Sequence, residues 1–321
     1  WQPLGVAAAS GEQVVVYVGN PGMKAGANTN VQLVFTQQHA ESSSLYKAVN
    51  LKIGRNEITL PKISSTDKEK GGALYVQYSG SNSKDQYAVR VSGGVKFPVL
   101  NLYGVTGEER AKRIGAYVKE LAEYVAQIEA QHDKLHAGSQ NDSVNYIYDP
   151  KTCILNMTDI QMDKMMLSIP ASQALAGLGS GDRAAALEHA VASMDGMLTL
   201  FYQHKGLTNS FEEGTDADVI AKNHLPYRYL NIRYMKMFAG AFMYAAGNHI
   251  GIEWGSTPGV VNCTPVTADA DGKYVSGRYF GWGIAHEIGH QINQSAYAMA
   301  EVTNNYFSVL AQAKDRNDTV R

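Results

Sequence analysis

Close to the end of this 321-residue chain stands His286-Glu287-Ile288-Gly289-His290. Two histidines four residues apart share one face of a helix, a turn from each other, so both imidazoles can reach a single ion. A glutamate directly after the first histidine lies beside such an ion without binding it. It can take a proton from a water and hand it on to a leaving amine. His286 and His290 are therefore candidate metal ligands, Glu287 is the candidate general base, and one catalytic Zn2+ is the implied cofactor. The apolar run Tyr279-Phe280-Gly281-Trp282-Gly283-Ile284-Ala285 ahead of the motif is suited to burying this helix.

A catalytic zinc takes three protein ligands and leaves one position open. No histidine follows His290, and Asn293 and Ala296 stand where a longer H-E-x-x-H-x-x-G-x-x-H motif needs Gly and His. The acids downstream are Glu301, Asp315 and Asp318. Both aspartates fall in the polar tail Lys314–Arg321 and read as solvated. Glu301 lies in Met299–Phe307, which reads as the next helix, and the ten residues Gln291–Ala300 can finish one helix and start another. Glu301 is thus the third candidate ligand. Asn305, four residues on, would share its helical face and could orient one imidazole by a hydrogen bond. Arg278, Tyr279 and Trp282 are candidates for substrate or oxyanion contacts. Glu253-Trp254 and Tyr244 either line a cleft or pack. His132-Asp133-Lys134-Leu135-His136 repeats the histidine spacing at the polar end of a helix and reads as solvated.

The elements that must position these residues fall into two parts. Residues 1–105 read as all-β, with short runs at Val14–Val18, Val31–Thr36, Ile58–Leu60, Leu74–Tyr78, Tyr87–Val91 and Val95–Val99. Turn residues separate them, among them Gly19-Asn20-Pro21-Gly22, Gly71-Gly72 and Gly93-Gly94. Such spacing suggests a β-sandwich. Thr106-Gly107-Glu108-Glu109 forms a capping box, and Ile114, Tyr117, Leu121, Val125 and Ile128 then recur at helical spacing, running to about His136. Strands are expected between Tyr146 and Ile169. Further helices are expected over Arg183–Tyr202, over Ile232–Ala246 and from Gly281. The expected fold is α+β: a β-sandwich over 1–105 and a mainly helical catalytic domain over 106–321.

Hydrophobic residues make up 45% of the chain, enough for a full core. No run approaches the ~20 apolar residues of a membrane-spanning helix. A net charge of -2, from 28 Lys+Arg and 30 Asp+Glu, lacks the basic footprint of a nucleic-acid binder. Two cysteines, Cys153 and Cys263, make either one bridge or two buried thiols. The chain begins without Met at Trp1-Gln2-Pro3-Leu4, and reads as a piece of a longer protein.

The sequence resembles the enhancin-like metallopeptidases, peptidase family sixty. Their H-E-x-x-H and ligand Glu fall on His286, Glu287, His290 and Glu301. Their ligand segment resembles Glu301-Val302-Thr303-Asn304-Asn305-Tyr306-Phe307-Ser308. Gln2-Pro3-Leu4-Gly5-Val6, Gly11-Glu12 and Gly71-Gly72-Ala73-Leu74-Tyr75-Val76 resemble segments of their β-sandwich. The resemblance implies a gluzincin, a zinc endopeptidase that cuts O-glycosylated, mucin-like proteins, secreted or held at the surface of host-associated bacteria. It also implies catalytic sequence beyond this chain, in a further segment, domain or second chain. A rival from another class is a glycan- or host-protein-binding module with a vestigial zinc site, but such a module has no need of Glu287.

Overall fold

The computed structural model describes residues 1–36, 46–63, 71–80, 86–131, 154–226, 229–235, 243–247, 249–263, 271, 281–293, 296 and 298–314. The molecule is α+β. Its first part holds two antiparallel sheets. One has five strands in the order β4-β3-β6-β1-β8: β1 Gln2–Ala9, β3 Asn28–Thr36, β4 Tyr46–Lys52, β6 Gly71–Tyr78 and β8 Val95–Lys96. The other has three, ordered β5-β2-β7: β2 Gln13–Gly19, β5 Gly54–Thr59 and β7 Ala88–Ser92. Alternate residues of the two sheets, such as Val14, Val16, Leu33, Phe35 and Leu74, meet in a shared core, as period-two side-chain alternation requires. Gly71 and Gly72, expected in a turn, instead lie buried in β6, paired with Ala9 and Ala8. β1 and β4 carry weaker patterns and were not expected as strands.

The second part is built on a six-stranded mixed sheet, ordered β13-β14-β12-β11-β10-β9: β9 Val99–Asn101, β10 Thr158–Gln161, β11 Met165–Ile169, β12 Leu230–Tyr234, β13 Met243–Ala246 and β14 His249–Ile252. α1 Gly107–Glu129 packs beside β9 and against α2 Ala171–Gly177 and α3 Arg183–Lys205, and α5 Thr257–Val261 packs against α2 and α3. Between α3 and α5 lies α4 Ala217–Asn223, and α6 Gly281–Ile292 and α7 Asn305–Lys314 follow. Among the described residues no helix is long and apolar enough to cross a membrane.

The helix expected over Ile232–Ala246 is corrected. Its ends are β12 and β13, with β12 parallel to both β11 and β14 and buried along its whole length. Because β12 is covered on both faces, Asn231 and Arg233 are buried beside Leu230, Ile232 and Tyr234, and no wet face marks the strand. α1 begins after Thr106 as expected, but the threonine side chain makes no capping bond, and Glu109 pairs with Arg113 at 2.8 Å instead. His132, His136 and Cys153 lie outside the described residues. Cys263 is buried, its sulfur 3.5 Å from the Val260 carbonyl.

Candidate metal centre

α6 carries His286, Glu287 and His290, and its inner face, with Ala285 and Ile288 fully buried, anchors it in the main core. The chain then returns through 298–304 and enters α7, which packs along α6. Phe307 of α7 is buried against Phe201 of α3, ring centroids 5.1 Å apart. The Ser308 hydroxyl donates to the Trp282 carbonyl at 2.9 Å. Glu301 was expected inside a helix. It sits in the turn before α7 at φ 64, the only non-glycine at positive φ among the described residues. Left-handed backbone at a non-glycine costs roughly 1 kcal/mol or more and persists where surrounding contacts impose it.

That turn brings the carboxylate to the helix. Glu301 Oε2 lies 3.0 Å from His286 Nε2, and Oε1 lies 3.2 Å from His290 Nε2. Donor atoms of all three residues fall within 4.8 Å of one another. Ligands about 2.0–2.2 Å from a tetrahedral zinc stand roughly 3.3–3.5 Å apart, so the spacing and the N2O donor set fit Zn2+. Asn305, first residue of α7, has Oδ1 2.8 Å from His286 Nδ1 and donates from Nδ2 to the Glu301 carbonyl at 3.0 Å. One amide thus orients an imidazole and ties down the turn holding the carboxylate.

Glu287 is half-buried, and burial pushes its pKa above the ordinary carboxylate value. The Glu301 charge pushes the same way, while His290, His286 and the Ala245 N–H pull it down. Ala245 belongs to β13, the edge strand of the six-stranded sheet among the described residues, so the carboxylate is tethered where that strand meets α6.

The remaining candidates divide. Trp282 is partly buried at the start of α6, whereas Arg278 and Tyr279 lie outside the described residues, as do Asp315 and Asp318. Glu253 accepts from Gly255 N and Ser256 Oγ, and Trp254 packs edge-on against Tyr234: both are structural. Tyr244 on β13 lies 3.1 Å through its hydroxyl from His249 Nε2. Sequence reasoning passed over the contacts behind the turn. Asn304 is 2% exposed, and its Oδ1 accepts from Asn293 Nδ2. Gly289 faces it so closely that a Cβ there would lie 2.9 Å from both Asn304 Cα and Cβ. The available signal was the glycine itself, a poor helix former inside a helix.

No family model matches the chain, and no curated protein does. Solved structures do match. The ZmpB metallopeptidase from Clostridium perfringens aligns at TM-score 0.68 and 24% identity, over 98% of this chain and 52% of that one. The M60 catalytic domain of ZmpC from Clostridium perfringens, solved in complex with the sialyl T antigen, aligns at TM-score 0.67 and 23% identity, over 98% and 52%. A metallopeptidase solved in complex with Tn antigen aligns at TM-score 0.60 and 18% identity, over 100% and 48%. The chain spans about half the length of the structures it matches. At these identities the likeness concerns the fold, and the chain has the fold of the enhancin-like metallopeptidase catalytic domain, peptidase family M60.

Proposed function

We propose that this chain is the core of a gluzincin, a zinc-dependent endopeptidase acting on O-glycosylated, mucin-like proteins. In this reading residues 1–105 hold the β-sandwich, except β9, which joins the sheet of the catalytic domain over 106–321. The observation that carries it is the convergence of two imidazoles and one carboxylate, with a fourth group, Glu287, one residue along the same helix and held off the ligand cluster. His286, His290 and Glu301 would hold the ion. When bound, Zn2+ supplies Lewis acidity, acidifying a coordinated water and polarising the scissile carbonyl.

The rest is the work of the chain. Glu287 accepts the proton of the attacking water and delivers it to the departing amine. Its partial burial suits it to carry that proton between the two steps. The edge of β13 beside Glu287 offers backbone N–H and C=O groups to an extended peptide, the usual manner in which a strand edge binds one. Trp282, with Tyr279 and Arg278 nearby in sequence, is offered for contacts to sugar or oxyanion. The O-glycan requirement rests on the sequence resemblance and on glycan antigens bound by two proteins of the same fold. Secretion or surface attachment rests on the resemblance.

The test is mass spectrometry of peptides released from a mucin-type glycoprotein and from its enzymatically deglycosylated form, each with and without a chelator. Chelator-sensitive cleavage of the glycosylated form alone is expected. Equal cleavage of both forms would refute the glycan requirement, and absence of bound zinc would refute the enzyme assignment.

A further inference from the structure

Glu301 reaches the imidazoles from an exposed position. Its side chain is 73% exposed, so apart from the two imidazoles little packs around the carboxylate to set its approach. How far it reaches toward them depends on its backbone. The turn is stiff: Val302 N and Thr303 N both donate to the Met299 carbonyl at 3.1 and 3.0 Å, and Asn305 N donates to Val302 O at 3.1 Å. Displacement at one end is therefore carried to the other. The turn meets α6 at Asn304, whose Cα and Cβ would lie 2.9 Å from a Cβ on Gly289, with Phe307 Cδ2 at 3.1 Å. The same asparagine is held by Asn293, whose Nδ2 also lies 3.5 Å from Thr303 Oγ1.

We propose that Gly289, with Asn293, is a positioning device for the third metal ligand: the bare helix backbone at 289 seats Asn304, and that seat sets the reach of Glu301. The inference rests on the metal-site reading above. Carbon atoms in contact sit about 3.5–4.0 Å apart, so a methyl group at 289 would need the turn to retreat by roughly 0.5–1 Å. Metal–ligand distances tolerate only about ±0.2 Å. The retreat is larger than the tolerance, so it must be felt at the metal. A glycine inside a helix is less favourable than alanine. Close approach of the turn is the reason to bear that cost here.

Gly289→Ala is expected to weaken Zn2+ binding at least ~10-fold, the scale seen when groups that orient ligands are lost, measured by competition with a chromophoric chelator. The visible spectrum of the Co2+-loaded protein should change as well, reporting altered coordination. The decisive step is the cycle with Glu301→Ala. If Gly289 acts through Glu301, adding Gly289→Ala to Glu301→Ala produces no further loss of affinity. Asn293→Ala removes the tether without a clash, should weaken Zn2+ binding several-fold, and decides the matter by itself if Gly289→Ala does not fold. Wild-type affinity and an unchanged Co2+ spectrum in both variants would overturn the proposal. So would equal losses with and without Glu301, which mark a general packing defect. Wild-type protein that binds no Zn2+ would overturn the metal-site reading too, which separates the two failures.

Discussion

Glu287 and Asn305 sit beside the ligands but do different work, and substitution can separate them. Glu287→Gln keeps the shape of the side chain and its ability to accept from the Ala245 N–H, and removes the base. It is expected to keep stoichiometric zinc while losing at least ~10²-fold in cleavage rate. Cleavage near the wild-type rate at matched zinc content would exclude it as the base. Asn305→Ala removes the partner of His286 Nδ1 and should instead cost about 10–100-fold in metal affinity, read by chelator competition. The motif residues were legible because their spacing is local: one helical turn fixes His286 against His290 whatever surrounds them. Glu301 was reachable by elimination among downstream acids, but its left-handed turn was not. It stands beside the seat of Asn304 on α6, a contact between residues 15 apart that no local pattern encodes.

The elements were legible where one face is wet. α1, β2 and β7 each keep a wet face, and there the expected spans fall close to the observed ones. β12 defeated that logic because its alternating polar residues, Asn231 and Arg233, are buried along with the apolar ones, and the short β13 and β14 give too few residues for any period. α3 shows a further signal, a cap at each end. The Asp182 side chain accepts from Ala184 N and Ala185 N at 3.1 and 3.0 Å, and Gly206 closes the helix at φ 70. The far end of α3 supports the site, through Phe201 against Phe307 and through His204 Nδ1, 2.7 Å from the Tyr306 hydroxyl. Asp182→Ala is therefore expected to lower folding stability by about 1 kcal/mol, measured by denaturant titration. It should leave Zn2+ affinity unchanged, because the cap lies at the opposite end of α3 from the contacts to α7. A parallel loss of zinc binding would show that fraying at the cap travels the length of the helix.

The two parts of the molecule share one apolar core, in which Ala7, Val34, Ala73 and Tyr75 of the five-stranded sheet join Leu100, Ile160 and Met166 of the six-stranded one. At that junction Asp159 on β10 is wholly buried. It accepts from the Tyr75 hydroxyl at 3.1 Å, while its Oδ2 has no partner among the described residues. Burial pushes its pKa up to about 7, against the opposing pull of the Ser168 and Tyr75 hydrogen bonds and of Arg233. In the unfolded chain it returns to about 3.9. Between those values the native state binds the proton and the unfolded state does not. The contribution of Asp159 to stability is thus complete below about pH 4 and is lost as pH rises through about 7. The slope reaches at most about 1.4 kcal/mol per pH unit. Because the core is continuous, the loss should appear in a single unfolding transition of the whole chain rather than in one part. Asp159→Asn imitates the protonated carboxyl and should flatten the slope between about pH 4 and pH 7, read as the denaturation midpoint across that range. An unchanged slope in the variant would mean that Asp159 stays ionised at the junction, balanced by Arg233.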